Sequence, residues 1–375
     1  MLSVADLEKI IDDFAPFSLA YDWDNSGLQV GDRKKEVDSI LLALDLSEEV
    51  MKEAEKKSCD VIITHHPLIF SPLESVLRGS PRGNLVYSLI EKNISLLSVH
   101  TNLDRAEGGL NDFLAHRLGL ERIEFMQSDE DMQKLVVFVP TDDLQDVKLA
   151  LHEAGAGEFD RYDMAGFYTE GTGTFRPLEG SEPALGSRRD YNEVEECRLE
   201  TIMPARKSET IISRLLEVHP YEEPAYDVIG LEQHSGELIP ARLGSLKKSM
   251  KLKDFTQNIR ERLELQGVKF CGAEDRTVSR AAVACGSGAD FIESAAAMEV
   301  DVLITGDMKY HDWEKARDND LAVVDAGHHG TEKIFSELME IKLNEYDRIS
   351  EKEVSILISD HQKPLWQSSE DIRNH

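Results

Sequence analysis

Histidines and acidic residues gather in four short segments of the chain, each directly after an apolar, strand-like run. The segments are Thr64-His65-His66-Pro67, His100-Thr-Asn-Leu-Asp104, Thr305-Gly306-Asp307 followed by Tyr310-His311-Asp312, and Asp325-Ala-Gly-His328-His329-Gly-Thr331-Glu332. Imidazole nitrogens with carboxylate oxygens suit Zn, Mn, Fe or Co, and the lack of cysteines in these segments argues against a closed structural zinc site. A lone histidine after a strand is more often a hydrogen-bonded structural residue. Several such segments together favour a metal site.

The spacing of His328 and Glu332 points to a shared metal centre. Residues four apart on a helix lie on one face, so this imidazole and this carboxylate can bind the same ion. The two oxygens of a carboxylate can also bridge two cations about 3.5–4 Å apart, which would activate water for hydrolysis. The alternative is that Glu332 is a carboxylate stabilised only by the N-terminal dipole of a helix.

Two histidines are candidates for proton transfer. His311 and His100 could each shuttle protons, because imidazole titrates near neutral pH. For His311 the alternative of a hydrogen-bonded loop residue carries equal weight. Arg78 and Arg82 are candidates for binding substrate phosphates, against the alternative of an ordinary solvated surface.

These segments require two α/β halves to position them. Residues 38–66 and 279–307 both show an apolar run, a helix-period stretch and a second apolar run, which is the pattern of a βαβ unit. Asp60-Val-Ile-Ile-Thr64 matches Asp301-Val-Leu-Ile-Thr305, and we interpret this as a weak internal repeat; the alternative is the general likeness of βαβ units. Chemistry in such folds lies at the carboxyl ends of the strands.

A stretch of different character separates the halves. The sequence predicts an N-terminal α/β half at 1–127, an inserted domain at 128–233 and a C-terminal α/β half at 234–375. Within the insert, the predicted order of strands and helices, with a hairpin at 163–176 and a loop at 176–189, favours a ferredoxin-like α+β domain.

Composition excludes several classes of protein. The 375 residues carry a formal net charge of −30, which argues against nucleic acid as a partner. The four scattered cysteines fit a reducing compartment rather than a disulfide framework. No apolar run approaches the about 18 residues of a membrane helix, and the acidic N-terminus is unlike a signal peptide. We therefore expect a cytoplasmic protein without membrane contact.

The chain resembles the GTP cyclohydrolase I type 2 family, also called NIF-three-like proteins. The resemblance is carried by five segments: Trp23-Asp24-Asn25-Ser26-Gly27-Leu28-Gln29-Val30-Gly31, His65-His66-Pro67-Leu68-Ile69-Phe70, Ser98-Val99-His100-Thr101-Asn102-Leu103-Asp104, Thr305-Gly306-Asp307 through His311-Asp312-Trp313, and Gly327-His328-His329-Gly330-Thr331-Glu332. It implies two divalent metal ions held between two α/β halves. The implied ligands are His65, His66, Asp104, His328 and Glu332. Glu332 would bridge the ions, His65 and His328 would hold one, and His66 and Asp104 the other.

The resemblance also implies an activity and an assembly. GTP would be hydrolysed at its imidazole ring with release of formate, so the expected partner is a small nucleotide substrate. The middle stretch resembles the PII- or CutA-like insert of longer members, notably at His219-Pro220-Tyr221-Glu222-Glu223-Pro224. Members of the family tend to form ring-like hexamers, so the resemblance implies a homohexamer. The alternatives are a metal-binding or regulatory protein without turnover, and a phosphoester hydrolase.

Overall fold

The computed structural model describes residues 2–127, 131–158, 162–234, 238–350 and 354–364. Contacts within the chain divide it into two units. The first comprises residues 1–126 with 239–375, and the second comprises residues 127–238.

The helices and strands follow the chain in three runs. The first run is α1 (Val4–Phe14), β1 (Gly27–Val30), β2 (Ser39–Ala43), α2 (Glu48–Lys56), β3 (Val61–Thr64), α3 (Pro81–Glu91), β4 (Ser95–Ser98), α4 (Thr101–Arg105), α5 (Leu110–Arg117) and β5 (Leu120–Gln127). The second is β6 (Asp131–Pro140), α6 (Leu144–Glu153), β7 (Gly166–Phe175), β8 (Asn192–Pro204), α7 (Ser208–Val218) and β9 (Tyr226–His234). The third is β10 (Leu238–Lys251), α8 (Leu252–Arg262), β11 (Lys269–Cys271), β12 (Thr277–Ser287), α9 (Ile292–Ala297), β13 (Val302–Gly306), α10 (Tyr310–Asp318), β14 (Ala322–Asp325), α11 (His328–Glu332), α12 (Phe335–Asn344), α13 (Asp347–Ser350) and β15 (Ser355–Ile358).

The first unit is an α/β fold with two sheets that repeat one topology. One sheet has the order β1-β4-β3-β2-β15 and the other β11-β14-β13-β12-β10-β5. In each, three parallel strands (β2, β3, β4 and β12, β13, β14) are followed by an antiparallel one. Each sheet also contains one strand from the other part of the chain. β15, near the end of the chain, pairs with β2 of the first sheet, and β5, from the N-terminal part, belongs to the second sheet.

The matching Asp60 and Asp301 have the same structural task in the two sheets. The Oδ2 atom of Asp60 accepts hydrogen bonds from the backbone N–H groups of Asp38 and Ser39, at the start of β2. The Oδ2 atom of Asp301 accepts from those of Ser279 and Arg280 in β12. Each carboxylate therefore satisfies backbone donors of the neighbouring strand, which gives the sequence repeat a physical reason.

Helices pack on both faces of each sheet. Helices α1, α5, α8 and α12 share one hydrophobic cluster with residues of both sheets, including Leu42 of β2 and Val283 of β12. Separate clusters cover the other faces, with α2 and α3 on the first sheet and α9 and α10 on the second. Because both faces are buried, the parallel strands are almost continuously apolar, as in the runs Ile40–Ala43 and Val302–Ile304. No helix in the described part of the chain is long and apolar enough to cross a membrane.

The second unit is a four-stranded antiparallel sheet with two helices. Its order is β7-β8-β6-β9, which is the split βαβ arrangement of ferredoxin-like domains. The predicted hairpin at 163–176 is wrong: Gly166–Phe175 is one strand, paired along its whole length with β8. Gly173 fits against a side chain of the partner strand instead of forming a turn, since a Cβ there would lie 1.9 Å from the Glu196 carboxylate.

Candidate metal centre

The predicted ligands lie at the carboxyl ends of strands in both sheets of the first unit. His65 and His66 follow β3 directly, and His100 follows β4 and is the N-cap residue of α4, which carries Asp104. From the second sheet, β14 leads through Gly327 (φ 78°) into α11, where His328 and Glu332 lie one turn apart. The topology thus brings together residues that are distant in sequence.

Four imidazole rings are oriented in the same way by an acceptor at Nδ1. The pairs, each at 2.8 Å, are His65 with the Val99 carbonyl, His66 with Asp45 Oδ1, His100 with Asp24 Oδ1, and His328 with Asp307 Oδ2. An acceptor at Nδ1 requires a proton there, which leaves Nε2 as the atom that can bind a metal. Acceptors in this position are the usual partners of metal-binding histidines.

The Nε2 atoms meet around the carboxylate of Glu332. Its Oε2 atom lies 3.0 Å from Nε2 of both His66 and His328, and those two nitrogens are 3.3 Å apart. Nε2 of His65 is 3.7 Å from Glu332 Oε1 and 3.8 Å from Asp104 Oδ1. The two oxygens of Glu332 therefore face two different groups of ligands.

Three buried polar atoms at this place have no hydrogen-bond partner among the described residues: Nε2 of His65, Oδ1 of Asp104 and Oε2 of Glu332. Nε2 of His66 and Nε2 of His328 each lie 3.0 Å from Glu332 Oε2, as ion pairs when the rings are protonated. Leaving buried polar atoms unsatisfied costs about 1–3 kcal/mol each. The donor set consists of nitrogen and oxygen atoms suited to Zn, Mn, Fe or Co. These residues therefore fit a bound cation.

Without a cation, the cluster holds protons instead. Burial lowers the pKa of His66, but the carboxylates of Asp45 and Glu332 outweigh this and raise it to about 10. The contact with Glu332 raises the pKa of His328 to about 9. Burial raises the pKa of Asp104 to about 6. For Glu332 burial acts in the same upward direction, but its interactions with the surrounding imidazoles, His328 first, hold its pKa well below the usual range. The ionised carboxylate of Glu332 is therefore surrounded by imidazoles that carry protons. A bound cation would take the place of these protons as the positive charge beside the carboxylate.

In the part of the chain that the structure describes, two sets of three side chains have ligand atoms within 4.8 Å of one another: His66 with His328 and Glu332, and His65 with His66 and His100. This grouping differs from the pairing that the family resemblance implies, in which His65 shares an ion with His328. His100, one of the two candidates for proton transfer, packs its ring edge-on against His65 at 5.1 Å between centroids.

Other candidates lie outside the cluster. The side chain of His311 is 89% exposed on α10, and its Nδ1 pairs with Glu314 at 2.8 Å. The ring of His329 turns to the backbone carbonyl of Gln362. Arg78 is exposed and pairs with Glu91, as an ordinary surface residue does.

The sequence analysis assigned no role to the residues that hold the ligands in place. Asp24, Asp45 and Asp307 orient three of the imidazoles. Asp24 and Asp307 lie in segments that the sequence analysis singled out, whereas Asp45 was missed, although it could have been found as an acid just after the apolar run of β2. Burial raises the pKa of Asp24, but hydrogen bonds from His100 and Thr101 outweigh it and keep that pKa far below the usual range. Gly286 (φ 61°) leaves room for the site, because a Cβ there would lie 2.3 Å from Glu332 Oε1.

Comparison with known proteins places this geometry in a family. The family model Duf34/NIF3 (NGG1p interacting factor 3) matches residues 2–364. A protein of Bacillus subtilis (strain 168) named GTP cyclohydrolase 1 type 2 homolog is 36% identical over 354 residues, covering 94% of this chain and 95% of that protein. A relative of the same name from Halalkalibacterium halodurans is 35% identical over 337 residues, 89% and 90% of the two chains.

Solved structures show the same likeness. The Bacillus cereus protein related to NIF3 is 36% identical, with a TM-score of 0.66 over 98% of this chain and 99% of that one. Staphylococcus aureus protein SA1388 is 30% identical, with a TM-score of 0.66 over 98% of each chain. The matched range includes every residue of the histidine and carboxylate cluster, and the chain belongs to the DUF34/NIF3 family.

Proposed function

We propose that this protein is a hydrolase with a centre of two divalent metal ions. The observation that carries the proposal is the convergence of buried, unpartnered ligand atoms of His65, Asp104 and Glu332 on one place. An apolar or hydrogen-bonded core would not leave these atoms unsatisfied. Oxygen- and nitrogen-rich sites without thiolates favour catalysis over metal trafficking.

We assign the ligands by the distances between side chains. His66, His328 and Glu332 Oε2 would hold one ion, and His65, Asp104 and Glu332 Oε1 the other, with His100 beside the second group. When bound, two such ions supply Lewis acidity and activate water at neutral pH. The identity of the metal among Zn, Mn, Fe and Co stays open to elemental analysis.

The side chains around the ligands keep the site ready for chemistry. Asp45, Asp24 and Asp307 hold the Nδ1 proton of their imidazoles, so the Nε2 lone pairs stay directed at the centre. We assign proton transfer to His100, because it contacts the cluster and keeps 15% of its side chain exposed, whereas His311 pairs with Glu314 away from the cluster.

The names of the relatives favour GTP as substrate. The reaction would be hydrolysis of the imidazole ring of GTP. Two water molecules are consumed, both C–N bonds of one carbon of that ring break, and the carbon leaves as formate. A homohexamer in the cytoplasm remains part of the proposal, and light scattering tests the subunit count.

Turnover by the ion-loaded protein tests the function. Wild type and His328→Ala are each loaded with Zn, Mn, Fe or Co, and GTP loss and formate release are followed beside a panel of phosphoesters. We expect wild type to bind about two ions per chain and to release formate from GTP. We expect no formate release by His328→Ala. Phosphate release without formate would favour a phosphoester hydrolase. Equal inertness of both proteins with ions bound would favour a metal-binding protein without turnover.

A further inference from the structure

Two large aromatic side chains are exposed beside the metal centre. Trp23 is 57% exposed and Phe70 is 43% exposed, and their ring centroids lie 5.8 Å apart. The Trp23 ring also presents an edge contact to His100, at 6.4 Å between centroids. Exposed apolar surface next to a polar site is typical of ligand binding. We name this pair the aromatic lip.

The backbone on both sides of the aromatic lip is held by hydrogen bonds. Gln29 Oε1 accepts from the backbone N–H of Ile69 at 2.9 Å, and the Asn25 amide donates to the Ile69 carbonyl. Asp24, next to Trp23, is the acceptor for the His100 ring. The segments that carry the two aromatic rings are therefore tied to each other and to a residue of the metal centre. Rings fixed in advance bind a ligand with little loss of conformational entropy.

A positive charge lies at the far end of the same row of rings. Trp23 stacks on Tyr21, with centroids 5.2 Å apart and an angle of 16° between the rings. The guanidinium of Arg105, the residue after Asp104, lies over Tyr21 at 4.6 Å from its centroid. Arg105 has no ion-pair partner among the described residues, so its charge is available to an anionic group.

We propose that the aromatic lip positions a planar heterocyclic ring of the substrate by stacking, with Arg105 binding an anionic substituent of the same molecule. This proposal rests on the proposed hydrolytic function and names the residues that select its substrate. Trp23 and Phe70 are positioning residues: they hold the ring beside the histidines and take no part in bond breaking. Stacking tolerates different ring systems, because every aromatic base has a π-face.

Binding of two matched probes tests the proposal. GMP and ribose 5-phosphate share a sugar and a phosphate, and only GMP has a ring. Titration calorimetry on ion-loaded protein compares wild type, Trp23→Ala, Trp23→Phe and Phe167→Ala; Phe167 is a control that is 67% exposed in the second unit. We expect Trp23→Ala to raise the Kd of GMP about tenfold and Trp23→Phe to restore most of the affinity. Ribose 5-phosphate binding and the metal content should be unchanged in Trp23→Ala, Trp23→Phe and Phe167→Ala.

The phosphate side is tested in the same way. Arg105→Gln should weaken the binding of both probes equally, since both carry the same phosphate; unchanged binding of both would overturn the role of Arg105.

Equal affinity of wild type for the two probes would overturn the stacking proposal, as would unchanged GMP affinity in Trp23→Ala. If Trp23→Ala changes only the subunit count, the aromatic lip is a subunit contact and the proposal is wrong.

The two proposals fail separately. Formate release with an unchanged KM in Trp23→Ala leaves the hydrolase intact and removes the stacking role. Ring-dependent binding of GMP without any turnover removes the hydrolase and leaves a nucleotide-binding site.

Discussion

Glu332 Oε2 lies 3.0 Å from Nε2 of His66, although one residue follows a strand of the second sheet and the other a strand of the first. The contact joins the carboxyl ends of the two sheets at one buried carboxylate. Glu332 is only 3% exposed, and its second oxygen faces His65. This carboxylate is therefore the residue on which both groups of ligands depend.

Replacing Glu332 should remove metal binding. Glu332→Gln keeps the size of the side chain but loses the negative charge that offsets two cations. We expect elemental analysis after dialysis to find about two ions per chain in wild type and fewer than one in the variant. Glu337→Gln, an exposed position on α12, is the matched control and should bind as wild type does. Two retained ions in Glu332→Gln would show that the carboxylate does not bridge.

Removing an acceptor at Nδ1 should weaken metal binding without abolishing it. Asp307→Asn and Asp45→Asn each leave the imidazole in place but hold its proton less well. Loss of such a partner typically lowers metal affinity about 10- to 100-fold. Competition against a chelator measures the affinity, and Asp22→Asn, an exposed acid, is the control. Affinities within twofold of wild type in both variants would contradict the orienting role.

A methyl group at Gly286 should disturb the same site from the backbone side. The position combines a φ of 61° with a would-be Cβ only 2.3 Å from Glu332 Oε1. The left-handed conformation alone costs a side chain about 1–2 kcal/mol. We expect Gly286→Ala to lose metal and to unfold at a lower temperature. Gly267→Ala, where nothing lies within 4 Å of the Cβ position, should match wild type in both measurements.

Asp301 should make the stability of the fold depend on pH. Burial raises the pKa of this carboxyl, but hydrogen bonds from Arg280 and Ser279 outweigh it, and its pKa in the folded protein is lowered. Its contribution is therefore present above the unfolded-state pKa and is lost as the pH falls through the folded-state value. We expect Asp301→Asn to lower the free energy of unfolding by about 1 kcal/mol at pH 7. Loss of a buried hydrogen-bonding group costs about 1–3 kcal/mol, and the lower value applies here because the carboxyl is partly exposed.

Urea unfolding of wild type and Asp301→Asn from pH 7 to pH 3 measures this contribution. The difference in the free energy of unfolding between the two proteins should shrink as the carboxyl becomes protonated. A difference that stays constant across this range would contradict the charge-dependent role of Asp301.

Local patterns in the sequence were enough to predict the α/β class and the residues with ligand chemistry. The apolar runs of β2, β3, β12 and β13 are buried on both faces, so their composition alone identifies them. His65, His66, His100 and His328 were found because they follow such strands. The matching Asp60 and Asp301 predicted a repeat that the sheet topology confirms, since the same hydrogen bonds recur in both sheets.

Only the tertiary structure decided how these residues combine. The strand exchange of β5 and β15 and the single strand at Gly166–Phe175 depend on pairing between distant segments, which local periodicity does not encode. The orienting roles of Asp24, Asp45 and Asp307 depend on distances across the ends of strands, and an acid near a turn looks the same in sequence whether it faces an imidazole or water. His311 had the right chemistry and the right neighbours along the chain, but the direction of α10 leaves it exposed. The sequence by itself determined which atoms could bind a cation; the folding of both sheets against a shared core determined which of them meet.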